Sequence, residues 1–455
     1  MKFNEYFKLR ELTLNITNYC NMAEIQGKYC KYCFENHRNK EMMTKEQCRE
    51  ILDKCYQNYL NNDDKYNMPF AVNFFGGEPF TNWEVIEDAL KYSREKEYKI
   101  EFGVTTNLLE LSDHMIDIIE EYELGILISI DGIKEIHNRN RSNSYDLVKN
   151  NVKKLIDRHL GYLLEVRMTI MPKDVNVLLE SIQSIVDMGI VNIAPVPVTD
   201  VKWSEQDLKN FNDNLIKVWE WLFNIYNDNE NKKNISIKLV EDFIEKVLTI
   251  ESIPEQTKLC LAGSQLCCSI GVNGDIMPCH QRHTIKKDYN ELVMGNIFNS
   301  DDIKEVVFNN MTRNSIENCE NCVAKFICQG GCPSENLSIN GNGNLMNENQ
   351  CNVYKTMVNV AICFQNKLLS CSNIRSRRLN GIVENLKILE FLKKEVLEKV
   401  DTNEYLNNLM KLYEMLMDKN NLLLPLFNET IKMKINELIN INNKMIGLKN
   451  GIKNC

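Results

Sequence analysis

Two periodicities alternate along residues 8 to 198. Short apolar runs rich in β-branched and aromatic residues occur at Leu9–Thr17, Phe70–Phe75, Lys99–Thr105, Ile126–Asp131, Leu164–Met171 and Val191–Val198. Between them lie stretches with apolar residues three and four apart, around 44–60, 82–96, 112–122, 145–159 and 175–188. The first kind of run predicts strands, the second amphipathic helices. Six β/α units of about 30 residues predict an α/β fold with a parallel sheet, either doubly wound or an incomplete barrel of six strands open on one side. In both, chemistry gathers on the loops at the C-terminal strand ends.

The pattern then changes. From Trp203 to Leu259 it is helical, with Leu215, Val218, Trp219, Leu222, Phe223 and Tyr226 on an amphipathic run, read as a connector packed on the barrel. Residues 260–351 are short in period and rich in cysteine and glycine, which predicts a segment folded around metal. Beyond about 365 the helical period returns (Ile382, Leu386, Leu389, Leu392, Val396, Val400), and Pro425 separates a last run. The expected division is 1–200, 201–259, 260–364 and 365–455.

Composition narrows the function. The chain has 455 residues, a 26% charged and 44% hydrophobic composition, and a net charge of −9, so it is globular and ill suited to a nucleic-acid backbone. No run approaches the ~18 apolar residues of a membrane span. The N-terminus, Met1 to Phe7, lacks an apolar signal core, and a cytoplasmic location is expected. Seventeen cysteines in a reducing compartment then point to metal or redox chemistry rather than disulfides.

Cys20, Cys30 and Cys33 follow the first strand directly. Three thiolates leave one iron of a [4Fe–4S] cluster open, whereas structural zinc wants four ligands. The zinc reading would need His37. After the second strand comes Gly76-Gly77-Glu78-Pro79, where glycines permit close approach to a ligand and Glu78 can hold an ammonium. On these residues the chain resembles the radical S-adenosylmethionine (radical SAM) superfamily, although its Cys20–Cys30 loop is six residues longer than the usual C-x3-C-x2-C. The resemblance implies that Tyr32 lies against the adenine and that Ser129 and Arg141, after strand four, hold ribose and carboxylate. It extends less directly to Asn107 and Arg167. Taken singly, each of these residues reads equally well as a loop cap or a surface ion pair.

A second set of cysteines has a more particular spacing: Cys260, thirteen residues, Gly274, four residues, Cys279, then Cys319-x2-Cys322-x5-Cys328-x3-Cys332 and Cys351. This order resembles the SPASM domain of radical SAM enzymes that act on peptides and proteins. The resemblance covers about residues 9 to 355. It implies one auxiliary cluster on Cys260, Cys279, Cys332 and either Cys267 or Cys268, and another on Cys319, Cys322, Cys328 and Cys351. Zinc ribbons are the plainer reading of 319–351, though the x5 and x3 spacings are atypical of zinc. Cys48, Cys55, Cys363, Cys371 and Cys455 read as free thiols.

The resemblance implies three [4Fe–4S] clusters, cleavage of S-adenosylmethionine to a 5′-deoxyadenosyl radical, hydrogen abstraction from a C–H bond, and an electron donor such as flavodoxin or ferredoxin. Its substrate is expected to be a peptide or protein. The segment Gly274–Gln281 looks closer to maturases that build thioether bridges in Cys-containing ribosomal peptides (the SCIFF and ranthipeptide kind) than to anaerobic sulfatase maturases, which make formylglycine and tend to carry Cys-Asp here. His280 takes that place and is a candidate base; a hydrogen bond beside the cluster is its plainer role. No separate peptide-binding domain is expected before the first strand. A non-catalytic iron–sulfur electron carrier is the reading from another class, and the open triad with Gly-Gly-Glu-Pro argues against it. Residues 366–455, with 15 Lys/Arg and 10 Asp/Glu, read as a helical cap or as a basic dock for an acidic leader peptide.

Overall fold

The computed structural model describes residues 1–34, 40–62, 69–227, 234–242, 260–262, 264–283, 289–299, 301–306 and 330–369, with single positions between 308 and 328. All belong to one unit of the chain. Cys371, Cys455, His37 and the whole helical extension from 370 onward lie outside the described residues.

The six expected strands are β1 Glu11–Thr17, β2 Phe70–Gly76, β3 Ile100–Thr106, β4 Gly125–Ser129, β5 Leu164–Ile170 and β6 Asn192–Pro197. They pair in parallel and in chain order. Between them run helices Lys45–Asn61, Trp83–Glu95, Asp113–Tyr122, Tyr145–Asp157 and Leu178–Asp187, each within a few residues of its predicted span. Thr44 starts the first of these with a capping box, its side chain accepting from Gln47 N while Gln47 returns to Thr44 N. Ser112 caps the third by accepting from Met115 N.

Alternation along each strand decides the two faces of the sheet. Leu12, Leu14 and Ile16 of β1, Phe70, Val72 and Phe74 of β2, and Val166, Met168 and Ile170 of β5 are buried. The intervening residues Thr13, Asn73, Glu165 and Arg167 are polar, so one face takes the helices and the other lines a polar interior. Apolar helix faces such as Ile51, Leu52, Cys48 and Cys55 are buried to match.

The sheet extends beyond the six expected strands at both edges. Among the described residues of 201–259, Glu205–Asn227 is a helix, but Ser236–Ile237 forms β7, parallel to β6. Its backbone donor Ser236 N meets Val191 O at 2.8 Å, because a free sheet edge outcompetes local helix propensity. At the other edge β8 (Cys267–Ile270) pairs in parallel with β1, and it turns into β9 (Asp275–Met277) and then β10 (Gly295–Asn296). The cysteine-rich segment is thereby stitched into the same sheet. The final described helix, Glu348–Leu369, packs Phe364 against Trp219 at 5.1 Å between rings. Among the described residues no helix is long and apolar enough to cross a membrane.

Candidate active site

The C-terminal ends of β1 to β5 carry the site. Gly76 and Gly77 close β2 onto the segment leading to Cys20. Gly76 has φ +125°, and a Cβ there would stand 2.1 Å from Thr17 O; one on Gly77 would stand 2.3 Å from Tyr19 O. Gly77 N donates to Thr17 O at 2.9 Å and Glu78 N to Tyr19 O at 2.8 Å. The closeness that demands glycine here is thus to the cysteine loop of the chain itself.

Glu78 is 1% exposed. Its carboxylate accepts from Phe80 N (3.0 Å), Thr106 Oγ1 (2.6 Å) and Asn107 N (2.6 Å). These bonds tie the end of β2 to the end of β3. Burial pushes its acid up to about 7 against the pull of those donors. Asn107, held by Glu78, turns its Nδ2 to Asn21 Oδ1 at 3.0 Å and lies 3.9 Å from Cys20 Sγ. Cys20 is buried, Cys30 half-buried and Cys33 exposed, and Cys33 N donates to Cys30 O at 3.3 Å.

On the other flank stands Asp131, fully buried just past β4. It accepts from Arg141 Nε (3.0 Å), Thr169 N (3.2 Å) and Tyr32 Oη (2.5 Å). The Arg141 guanidinium lies over the Tyr32 ring, 5.2 Å from its centre, with Nη1 3.9 Å from Cys30 Sγ. Burial opposes the Arg141 charge, but Asp131, Tyr32 and Cys30 around it keep it protonated. Tyr32 and Arg141, expected as separate cofactor contacts, are therefore one cluster organised by Asp131.

A relay of hydrogen bonds holds Arg141 from behind. Asp131 N donates to His137 Nδ1 (3.3 Å), His137 Nε2 meets Ser144 Oγ (2.8 Å), and Ser144 Oγ donates to Arg141 O (2.7 Å). With Nδ1 accepting, the proton sits on Nε2. Burial and the nearby Arg141 charge lower the His137 pKa to about 3, so the ring is neutral. Ser129 ends β4 half-buried, in register with Arg167 of β5. The Arg167 carbonyl accepts from Ile130 N at 3.1 Å, and among the described residues its guanidinium is in no ion pair.

The second cysteine set divides on strand geometry. Cys267 is opposite Glu11 and Cys268 opposite Leu12, so adjacent residues take opposite faces. Cys267 lies within electrostatic reach of Cys260, and Cys332 within reach of both Cys279 and Cys260. Cys268 is buried on the helix side beside Cys55. Cys319, Cys322, Cys328 and Cys351 line one small cavity with Gly330, Met346 and Tyr354. Cys328 Sγ accepts from Gly330 N at 3.3 Å, and Cys260 Sγ from Ala262 N at 3.4 Å.

Among the described residues no group of three or more His, Cys, Asp or Glu is assembled to hold a metal ion, but an all-cysteine donor set is the kind that suits iron–sulfur clusters. Burial pushes the Cys267 and Cys332 thiols up to about 12, an unfavourable setting for free thiolates that a bound metal relieves by displacing the proton. The buried Asn21 Nδ2, next to Cys20, has no hydrogen-bond partner. Cys48 and Cys55 are buried in the Lys45–Asn61 helix and Cys363 is exposed, apart from these groups.

His280 follows Cys279 on a short turn. Its ring lies 4.3 Å from that of Phe75 and 6.3 Å from Phe34, and its carbonyl accepts from Asn15 Nδ2 at 3.4 Å. Burial, with the Arg167 charge, lowers its pKa to about 4. Three residues that matter went unassigned in the sequence: Asp131, Asn21 and His137. Asp131 and His137 fall between Ser129 and Arg141 in sequence, but only their contacts show that they brace Arg141.

Residues 14–183 match the Radical SAM superfamily. Over 162 residues the chain is 27% identical to the radical SAM cyclopropyl synthase TigE of Paramaledivibacter caminithermalis, covering 32% of each chain. It spans 32%, 40% and 43% of the length of TigE and of two uncharacterised proteins from Methanocaldococcus jannaschii and Methanothermobacter thermautotrophicus. A cysteine-type anaerobic sulfatase-maturating enzyme of Clostridium novyi is 22% identical over 331 residues, 67% of this chain and 83% of that one. Native anSMEcpe with bound AdoMet has a similar fold (TM-score 0.62, 18% identity, 82% of this chain and 99% of that one). So does Streptococcus suis SuiB bound to the precursor peptide SuiA (TM-score 0.53, 16% identity, 76% of each chain). With its parallel partial barrel and the three cysteines after β1, the chain carries a domain of the Radical SAM superfamily.

Proposed function

We propose that this protein is a radical SAM enzyme that modifies a peptide or protein, most specifically by joining a cysteine sulfur to a carbon within a ribosomal peptide. The observation that carries the general reading is the triad Cys20, Cys30 and Cys33 held between two prepared flanks, Asn107 with Glu78 and Arg141 with Asp131. In this reading residues 1–200 are the catalytic barrel, 201–259 a connector, 260–364 a SPASM domain and 365–455 an extension. Cys20, Cys30 and Cys33 hold one [4Fe–4S] cluster; Cys260, Cys267, Cys279 and Cys332 hold a second; Cys319, Cys322, Cys328 and Cys351 hold a third. Strand alternation supports Cys267 over Cys268 as the fourth ligand.

When bound, the first cluster and S-adenosylmethionine supply a carbon radical able to take hydrogen from a C–H bond. The chain's part is placement. Arg141, kept charged and aimed by Asp131 and His137, presents unused N–H groups for a carboxylate, while Ser129 stands on the neighbouring strand end. Tyr32, its hydroxyl committed to Asp131, offers a fixed ring face. His280, neutral beside Phe75 and Phe34, is the candidate acceptor of a substrate proton in this reading.

Thioether formation is supported by His280 standing where formylglycine makers tend to carry Asp. A formylglycine-forming maturase is the second reading, favoured by a match extending along 83% of the Clostridium novyi enzyme. A mass spectrum separates them. Candidate precursor peptides from neighbouring reading frames are incubated with enzyme, reductant and S-adenosylmethionine. A product lighter by two hydrogens per bridge supports the thioether. Replacement of a thiol by an aldehyde, with loss of sulfur, supports the second reading, and an unchanged peptide together with a modified sulfatase sinks the first.

A further inference from the structure

Two side-chain amides beside Cys20 have an arrangement that neither the fold nor the strand ends require. Asn107 is buried just past β3. Its Oδ1 accepts from Leu109 N at 3.0 Å, which fixes which end of the amide is nitrogen. That Nδ2 has two hydrogens: one serves Asn21 Oδ1 at 3.0 Å, and the other is available to Cys20 Sγ at 3.9 Å. Asn21 follows Cys20 directly and is 3% exposed. Because its Oδ1 is taken by Asn107, its orientation is fixed as well, and its Nδ2 is left buried with no partner. A buried donor left unmade is costly in folded proteins, so this N–H stands ready to serve an acceptor bound here.

We propose that Asn107 and Asn21 act as a coupled pair of N–H donors to the sulfur atoms of the cluster held by Cys20, Cys30 and Cys33, and that they raise its reduction potential. The inference rests on the reading of that triad as cluster ligands. Reduction adds negative charge to the cluster, and donors near sulfur stabilise that charge more in the reduced than in the oxidised state. The pair is built to be rigid. Glu78 accepts from Asn107 N at 2.6 Å and is itself pinned by Thr106 and Phe80 N, so the donor cannot swing away when charge arrives. On the far flank Arg141 Nη1, 3.9 Å from Cys30 Sγ, acts in the same sense. Glu78 is then a positioning residue for the donor pair.

The test is a potentiometric EPR titration of the full-length, anaerobically reconstituted protein without S-adenosylmethionine. It follows the signal that disappears in a Cys20→Ala/Cys30→Ala/Cys33→Ala variant. Asn21→Leu and Asn107→Leu should each move that midpoint to more negative potential. The double variant should move it by less than the two shifts added, since Asn107 holds Asn21 in place. The signals of the remaining clusters should stay where they are. A measurement on the unaltered chain guards against variants that fail to fold: with 15N-asparagine incorporated, pulsed EPR of the reduced cluster should show 15N couplings before S-adenosylmethionine is added. Unchanged midpoints in both variants, or no 15N coupling in the unaltered protein, overturn the proposal. Couplings that arise only with S-adenosylmethionine place the amides on that molecule and overturn it too. If the triple-alanine variant keeps every signal, the triad is not a cluster site, and the underlying reading fails visibly before the amides are tested.

Discussion

Asp131→Asn isolates the electrostatic part of the site. Asp131 is fully buried and the Arg141 side chain is 8% exposed, so their 3.0 Å contact has almost no water to screen it. The substitution keeps shape and nearly all hydrogen bonding. The new amide oxygen can still accept from Arg141 Nε and Thr169 N, and the Tyr32 hydroxyl can turn to accept from the new NH2 group. What disappears is the countercharge. Removing one partner of a buried pair costs about 3–5 kcal/mol, because the other charge is left buried alone. At 1.36 kcal/mol per decade this is about a 10²- to 10⁴-fold rise in local opening. Hydrogen exchange read by mass spectrometry on peptides spanning 131–145 measures it directly. Exchange in the Lys134–Asn140 helix and its flanks should accelerate by that factor, while Lys45–Asn61 changes little. Adding Arg141→Gln to Asp131→Asn removes the stranded charge and should restore much of the protection, although the double variant should bind S-adenosylmethionine weakly. Protection within about threefold of the unaltered protein in Asp131→Asn, or a double variant no better than the single, refutes the reasoning.

Reconstituted protein should hold about 12 iron atoms, falling by roughly a third in Cys267→Ser, which opens one auxiliary site, while Cys268→Ser keeps its iron; equal iron in both, by elemental analysis, would reverse the assignment. His137 predicts an acid effect of definite sign. Its folded pKa of about 3 lies below the unfolded value near 6.5, so its contribution is present above 6.5 and is lost as pH falls toward 3. Exchange in 131–145, corrected for intrinsic rates, should rise from pH 6.5 to 4.5 in the unaltered chain and lose that dependence in His137→Gln. His280→Ala should lower product formation by about 10²–10⁴-fold with iron content unchanged, as removal of a general base does; retained turnover would leave His280 a merely structural neighbour of Phe75.

Local pattern by itself determined the six strands and five helices of the barrel, because side-chain alternation and helical spacing are short-range properties of a chain with one face to bury. It also determined which segments end at the site, since loops after parallel strands converge whatever their sequence. Short segments with little pattern had to wait for the tertiary structure. Ser236–Ile237 became a strand because β6 offered an open edge, and Cys267–Ile270 joined β1 for the same reason. That register separates two adjacent cysteines that spacing alone could not: one residue along a strand reverses the face, with Cys267 near Cys260 and Cys268 near Cys55, which supports Cys267 as the ligand. The roles of polar residues were decided the same way. Nothing local in the sequence shows that Thr106, Asn107 and Phe80 surround the Glu78 carboxylate, or that Tyr32 and Arg141 close on Asp131. Thr106, Asn107 and Tyr32 lie 28 to 99 residues from the carboxylates they meet, too far for any periodicity to register, and only the sheet brings them within hydrogen-bonding distance.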